Sequence, residues 1–197
     1  MDTSERILIS ATSAFGENGY DSTSLDSLAD DLGIRKQSIL YHFSTKEILL
    51  HASVANALGE LREVLSEAIR ASEDGWDRIE TIVRGVFRLA IQRPELLGLL
   101  REVSRLGPPV LTKAVEGLEP LIEGATKWLK NEMKHGRVVE SDPQLLVLSI
   151  YSAIMGAATE SNLLEAVGIH QTPREVAQRR KELLRFLKSA VIPVGAV

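Results

Sequence analysis

Apolar residues recur every three or four positions along this chain and nowhere alternate over a strand's length, so the pattern predicts helices from end to end. Ile7, Leu8, Ala11, Ala14 and Phe15 form one stripe over residues 3–18, and the run Gly16 to Asp21 ends it. Leu25, Leu28, Ala29 and Leu32 give a shorter second helix its inward face. Ser24 stands before it as an N-cap, because a hydroxyl there accepts from an otherwise orphaned backbone N–H of the first turn. Gly33 stops it where a residue without a Cβ takes positive φ at low cost. A third helix, about 35–43, turns Ile39 and Phe43 inward. That leaves Arg35, Lys36, Gln37, Ser38 and Tyr41 near its start or on its outer side.

Ile48, Ala52, Ala55, Leu58, Leu61, Leu65 and Ala68 carry a fourth helix from a Ser44 cap to about Ala71, a rod able to join two domains. SEDGW, residues 72–76, marks the boundary. Beyond it the pattern gives helices at about 76–92, 94–106, 109–135, 142–167 and 173–191. They are broken at Pro94, Gly107-Pro108-Pro109, Gly136 and 168–172. The fold class is all α, with about nine helices in two domains, 1–61 and 72–197. In the last two helices, Ala153, Gly156, Ala157 and Ala158 permit close approach beside Leu145, Leu146, Leu148 and Ile154. The final helix sets Val176, Leu183, Leu184, Leu187 and Val191 against a charged face.

Composition removes several classes of function. With no cysteine there is neither a disulfide framework nor a thiolate metal site. The first twenty residues hold no apolar h-region, and the longest uncharged run, Pro143 to Thr159, is too polar and short for a membrane span. A cytoplasmic protein is expected. None of His42, His51, His135 and His170 shares a helix face with a second histidine or a fitting carboxylate pair, so no metal site is expected. No nucleophile motif, P-loop or dinucleotide glycine pattern appears, which leaves enzyme activity and a cofactor without support.

Two short helices joined by a tight glycine turn, the second presenting Lys36, Gln37 and Ser38, suit a helix laid in a DNA major groove. They equally suit an ordinary helical core. Charge sharpens the question: residues 1–50 hold four cations, Arg6, Arg35, Lys36 and Lys46, against eight acids, a local net of −4. Phosphate neutralisation supplies much of DNA affinity, so modest binding with a shallow salt dependence is expected.

The stretch AFGENGYDSTSLDSLADDLGIRKQSILYHFSTKEILL resembles the N-terminal domain of the tetracycline-repressor (TetR) family of bacterial transcriptional regulators, over roughly the first 60 residues. The combination of GY, the Ser24 cap, LA, the LGI turn, YHF and TKEILL is specific. The resemblance implies a three-helix DNA-binding domain with a helix-turn-helix at 24–43, and a C-terminal helical domain for ligand binding and dimerisation. It implies that Ser24 contacts a phosphate, that Lys36, Gln37 and Ser38 face the bases, and that His42 and Lys46 touch the backbone. Arg35 and Tyr41 join this set by position. The family often has tyrosine where this chain has Leu40, and Tyr41 is the aromatic here. Homodimerisation through the last two helices, about 142–191, is also implied.

A small-molecule ligand in the C-terminal domain follows from the same resemblance, and Arg84, Phe87, Arg88, Trp128, Tyr151 and Met155 are its candidate contacts. Each also suits core or surface. The function implied is a sequence-specific DNA-binding regulator, a repressor released from a near-palindromic operator by that ligand. The alternative is a helical ligand-binding or interaction protein that no longer binds DNA.

Overall fold

Asp2 opens α1, Thr3–Asn18, with a capping box: it accepts from backbone N–H groups of the first turn while Glu5 accepts from the Asp2 N–H. The structure, a computed structural model, describes residues 2–170 and 172–193, and the backbone alone at 161 and 162. Met1, Gln171 and residues 194–197, which the expected domain limits include, lie outside that description. Among the described residues there are ten helices and no strand. After α1 come α2 (Leu25–Leu32), α3 (Lys36–His42), α4 (Lys46–Ala71), α5 (Trp76–Gln92), α6 (Pro94–Leu106), α7 (Val110–Lys134), α8 (Pro143–Thr159), α9 (Ser161–Ala166) and α10 (Pro173–Val191).

The chain divides into two compact units, Met1–Leu61 with Gln92–Leu118, and Arg62–Ile91 with Glu119–Val197. Residues 92–118, which the sequence pattern assigns to the larger C-terminal domain, thus cluster with the first three helices. In the first unit α6 lies along α1, and the two backbones nearly touch. A Cβ built on Gly16 would fall 2.3 Å from the Glu95 carbonyl oxygen, and one on Gly98 would fall 2.7 Å from the Gly16 carbonyl oxygen. Around this crossing Ile7, Ala11 and Phe15 of α1 and Leu96, Leu97, Leu99 and Val103 of α6 are buried. Arg93 joins Glu60 of α4 to Glu95 of α6.

Glu102 is the one carboxylate buried in this unit among the described residues. It accepts from the Tyr20 N–H at 2.8 Å and from Arg105, whose guanidinium also reaches Asp21 at 3.0 Å. The Arg105 hydrogen bond first, then the Tyr20 N–H, hold its pKa below the ordinary value against the effect of burial.

In the second unit α8 packs on α10, with Ile154 buried from one and Leu183, Leu187 and Val191 from the other. The α10 end is tied by the Val139 N–H to the Val191 carbonyl at 2.9 Å. Glu132 of α7 is fully buried, and Arg137 satisfies it with two hydrogen bonds.

Two local expectations change. The helix expected over 142–167 is divided at Glu160, whose φ of −79° and ψ of 51° leave the helical region, and this raises the count to ten. Thr159, Ser161 and Asn162 are all residues that lower helix propensity, and the Thr159 hydroxyl bonds back to the Met155 carbonyl. At the start of α4 the cap is not Ser44 but Thr45, whose hydroxyl accepts from the Ile48 N–H at 3.1 Å. No helix among the described residues is long and apolar enough to cross a membrane.

Gly98→Ala should cost roughly 1–3 kcal/mol by overpacking. Gly124→Ala, where an added Cβ meets nothing within 4 Å, should stabilise by roughly 0.5–1 kcal/mol through helix propensity. Urea denaturation followed by circular dichroism reads both. The lowered pKa of Glu102 means its pairing stabilises above the ordinary 4.5 and is lost as pH falls through the native value. Glu102→Gln should therefore flatten the acid limb of a stability-against-pH curve.

Candidate nucleic-acid interface

Local rules build the reading unit. The Ser24 hydroxyl accepts from the Ser27 N–H at 2.9 Å, and the Ser27 hydroxyl receives the Ser24 N–H at 3.1 Å, which fixes where α2 begins. Gly33 ends it at φ 65° and ψ 34°. Its N–H bonds Asp30 and the Ile34 N–H bonds Ala29, the paired bonds of a Schellman turn. The Arg6 guanidinium reaches the Leu32 carbonyl at 3.3 Å, so α1 also supports the end of α2. Buried Leu28, Ala29 and Ile39 seat α2 and α3 on each other and on α1.

What remains outward on and around α3 is the candidate face. Arg35, at the N-cap, is exposed, as are Gln37, Tyr41, His42 and Ser24, while Lys36, Ser38 and Lys46 are half-buried. Tyr41 is 85% exposed, with its ring edge-on to His42 at 5.1 Å. Apart from that edge contact, the ring is open to solvent. Leu40, at the position the family often fills with tyrosine, is only marginally exposed.

Three of the four cations of the first 50 residues have partners in the free chain. Arg6 holds the Leu32 carbonyl; the Lys36 ammonium is 2.8 Å from Asp26; and the Lys46 ammonium sits 4.1 Å over the Tyr20 ring. The Asp26 pair was not legible in the sequence, because the two residues meet only through the angle between α2 and α3.

The six candidate ligand contacts lie in the second unit and face different surroundings. Arg84 is exposed and paired with Glu80, Arg88 is exposed, and Phe87 is buried. The Trp128 indole N–H reaches Asp74 at 3.2 Å with Arg78 over its ring. Tyr151 is 44% exposed and Met155 half-buried. Among the described residues no group of three or more histidine, aspartate or glutamate side chains is placed to hold a metal.

Residues 7–53, which span α1 to the first turns of α4, match the family model described as bacterial regulatory proteins, tetR family. The chain is also similar to the HTH-type transcriptional regulator RutR of Escherichia coli strain K12. The two are 26% identical over 165 residues, 82% of this chain and 76% of that protein. Residues 7–53 thus form a tetR-family region.

The chain is 38% identical over 72 residues, 36% of this chain and 37% of that protein, to the biofilm operon icaADBC HTH-type negative transcriptional regulator IcaR of Staphylococcus epidermidis. A solved structure of AibR in complex with isovaleryl coenzyme A and operator DNA has the same fold. Its TM-score is 0.78 at 15% identity, over 94% of this chain and 97% of that one. The family model and the curated relatives together make this chain a DNA-binding transcriptional regulator.

Asp26→Asn should free the Lys36 ammonium and remove one negative charge from the face. Affinity for duplex DNA of any sequence should rise, about eightfold at ~0.1 M salt, with the log–log salt slope steeper by about 0.9. Fluorescence anisotropy over a salt series measures both.

Proposed function

We propose that this regulator is a homodimeric repressor that grips a near-palindromic operator in the cytoplasm and lets go when a small molecule binds its C-terminal helices. The observation that carries the reading is the face around α3. A capped, glycine-turned helix pair presents Gln37 and Tyr41 to solvent, with Lys36, Ser38 and Lys46 half-buried beside them.

In a major groove the chemistry of these side chains divides. Gln37 can pair with both the N6 and N7 edges of adenine, Lys36 with guanine, and Ser38 with either. Ser24, His42 and Lys46 suit phosphates, which set register without reading sequence.

A pair of such helices on a two-fold axis would read half-sites about one helical turn apart. The second unit supplies a surface for that pairing: Leu145, Leu148 and Tyr151 line one side of α8 at spacings of three, and Phe186 of α10 is 61% exposed. Leaving these large apolar groups in water is unfavourable, and a second copy of the chain covers them by symmetry.

Control by a ligand has the support of AibR, solved in complex with isovaleryl coenzyme A and operator DNA. The coupling is reciprocal, so operator DNA weakens ligand binding by the same factor. The helix α4, which follows the recognition helix directly, offers the path along the chain.

Selection from a random-sequence duplex library should yield an inverted repeat bound by two chains. On that site Gln37→Ala should relax the preference at particular bases, losing roughly 1–3 kcal/mol of discrimination there. Lys46→Ala should instead weaken binding to all sequences alike and lower the salt slope by about 1. Equal losses across sequences for Gln37→Ala would remove its base-reading role, and failure of the folded wild-type chain to select any motif would contradict the operator.

A further inference from the structure

The free chain holds the two lysines of its reading face by different chemistry. Lys36 meets the Asp26 carboxylate, which cancels its charge. Lys46 instead lies with its ammonium 4.1 Å from the centroid of the Tyr20 ring, and a ring face attracts a cation without neutralising it. An ammonium on a π face can be shared with a phosphate; one on a carboxylate must first be given up.

Tyr20 is itself fixed from two sides. Its ring packs on Phe15 of α1, with centroids 5.6 Å apart, and its backbone N–H is held at 2.8 Å by the buried Glu102 of α6. Glu102 is in turn held by Arg105. Burial raises the Tyr20 pKa first, with Glu47 and Asp21 adding to it, so the phenol is neutral at physiological pH and offers Lys46 its ring rather than a phenolate. The contact is therefore built on α1, α4 and α6 together, all within the first unit.

We propose that Tyr20 is a positioning residue for DNA binding, its ring face setting the Lys46 ammonium where it takes a backbone phosphate. The proposal rests on the reading of α3 and its flanks as the DNA-binding face. The physical gain is entropic: a lysine side chain carries several freely rotating bonds, and a contact that orders it beforehand lowers what the phosphate contact must spend. Since the beneficiary is a phosphate contact, Tyr20 contributes to affinity for every sequence and to specificity for none.

The test is a double-mutant cycle on binding to a mixed-sequence duplex at low salt, with Tyr20→Leu, Lys46→Ala and the double variant. Tyr20→Leu should lose about two- to fivefold in affinity, the size of an exposed cation–π contact, and Tyr20→Phe should keep wild-type binding. In the Lys46→Ala background, Tyr20→Leu should change nothing further.

A merely structural Tyr20 would give additive losses in the cycle, and that result would overturn the proposal while leaving DNA binding intact. Absence of duplex binding by the folded wild-type chain would instead sink the DNA-binding reading, and this proposal with it. A second measurement needs no Tyr20 variant. In the wild-type NMR spectrum the Lys46 ε-methylene protons should be shifted upfield by the ring current relative to the other lysines, and an unshifted signal would overturn the proposal on its own.

Discussion

A side chain at residue 16 would have to occupy the place of the Glu95 carbonyl, and that prohibition lets α6 run against α1 with almost nothing between the backbones. The consequence is a register. Four residues on from Gly16 is Tyr20, and four residues on from Gly98 is Glu102, so the same crossing that brings the glycines together delivers the Glu102 carboxylate to the Tyr20 N–H. From Tyr20 the chain turns into α2, and its ring carries Lys46. A helix distant in sequence therefore fixes both the connection into the reading unit and one of its cations. Burying Glu102 is tolerable because Arg105 and a backbone N–H satisfy it; removing either partner would leave a desolvated charge.

The second constraint is electrostatic poverty. A unit that approaches a polyanion with four cations and eight acids in its first fifty residues cannot rely on bulk attraction. Each cation has a distinct placement: Arg6 supports the end of α2, Lys36 is held by an anion, Lys46 by an aromatic face, and Arg35 lies exposed at the start of α3. Binding then depends more on where charges are held than on how many there are. A repressor gains from this, since weak general attraction leaves more of its occupancy to the sites it reads.

The helix-turn-helix was legible because its signals are local. Ser24 and Gly33 each act within a few residues of their position, and capping and positive φ have few chemical solutions. The Gly16–Gly98 crossing was not, because each glycine alone reads as a helix-weakening residue and only the pair, 82 positions apart, has meaning. The same holds for Asp26 with Lys36, and for the grouping of residues 92–118 with the first unit. The break at Glu160 needed a weighing of modest propensities against a long apolar run, where periodicity pointed the other way. The ligand contacts were least legible: Arg84 and Arg88 are exposed, Phe87 is buried, and apolar residues that line a cavity follow the same spacing as those that fill a core.

The central claim, that this chain recognises particular DNA sites as a two-fold assembly, is tested most directly by capture. The purified protein, shown to be folded and free of bound ligand, is mixed with sheared DNA of its own genome at about 0.1 M salt, and what it retains is sequenced. Enrichment of a few fragments that share an inverted repeat, with half-sites about one helical turn apart, is the predicted result. Retention without enrichment, or no retention at all, would contradict it.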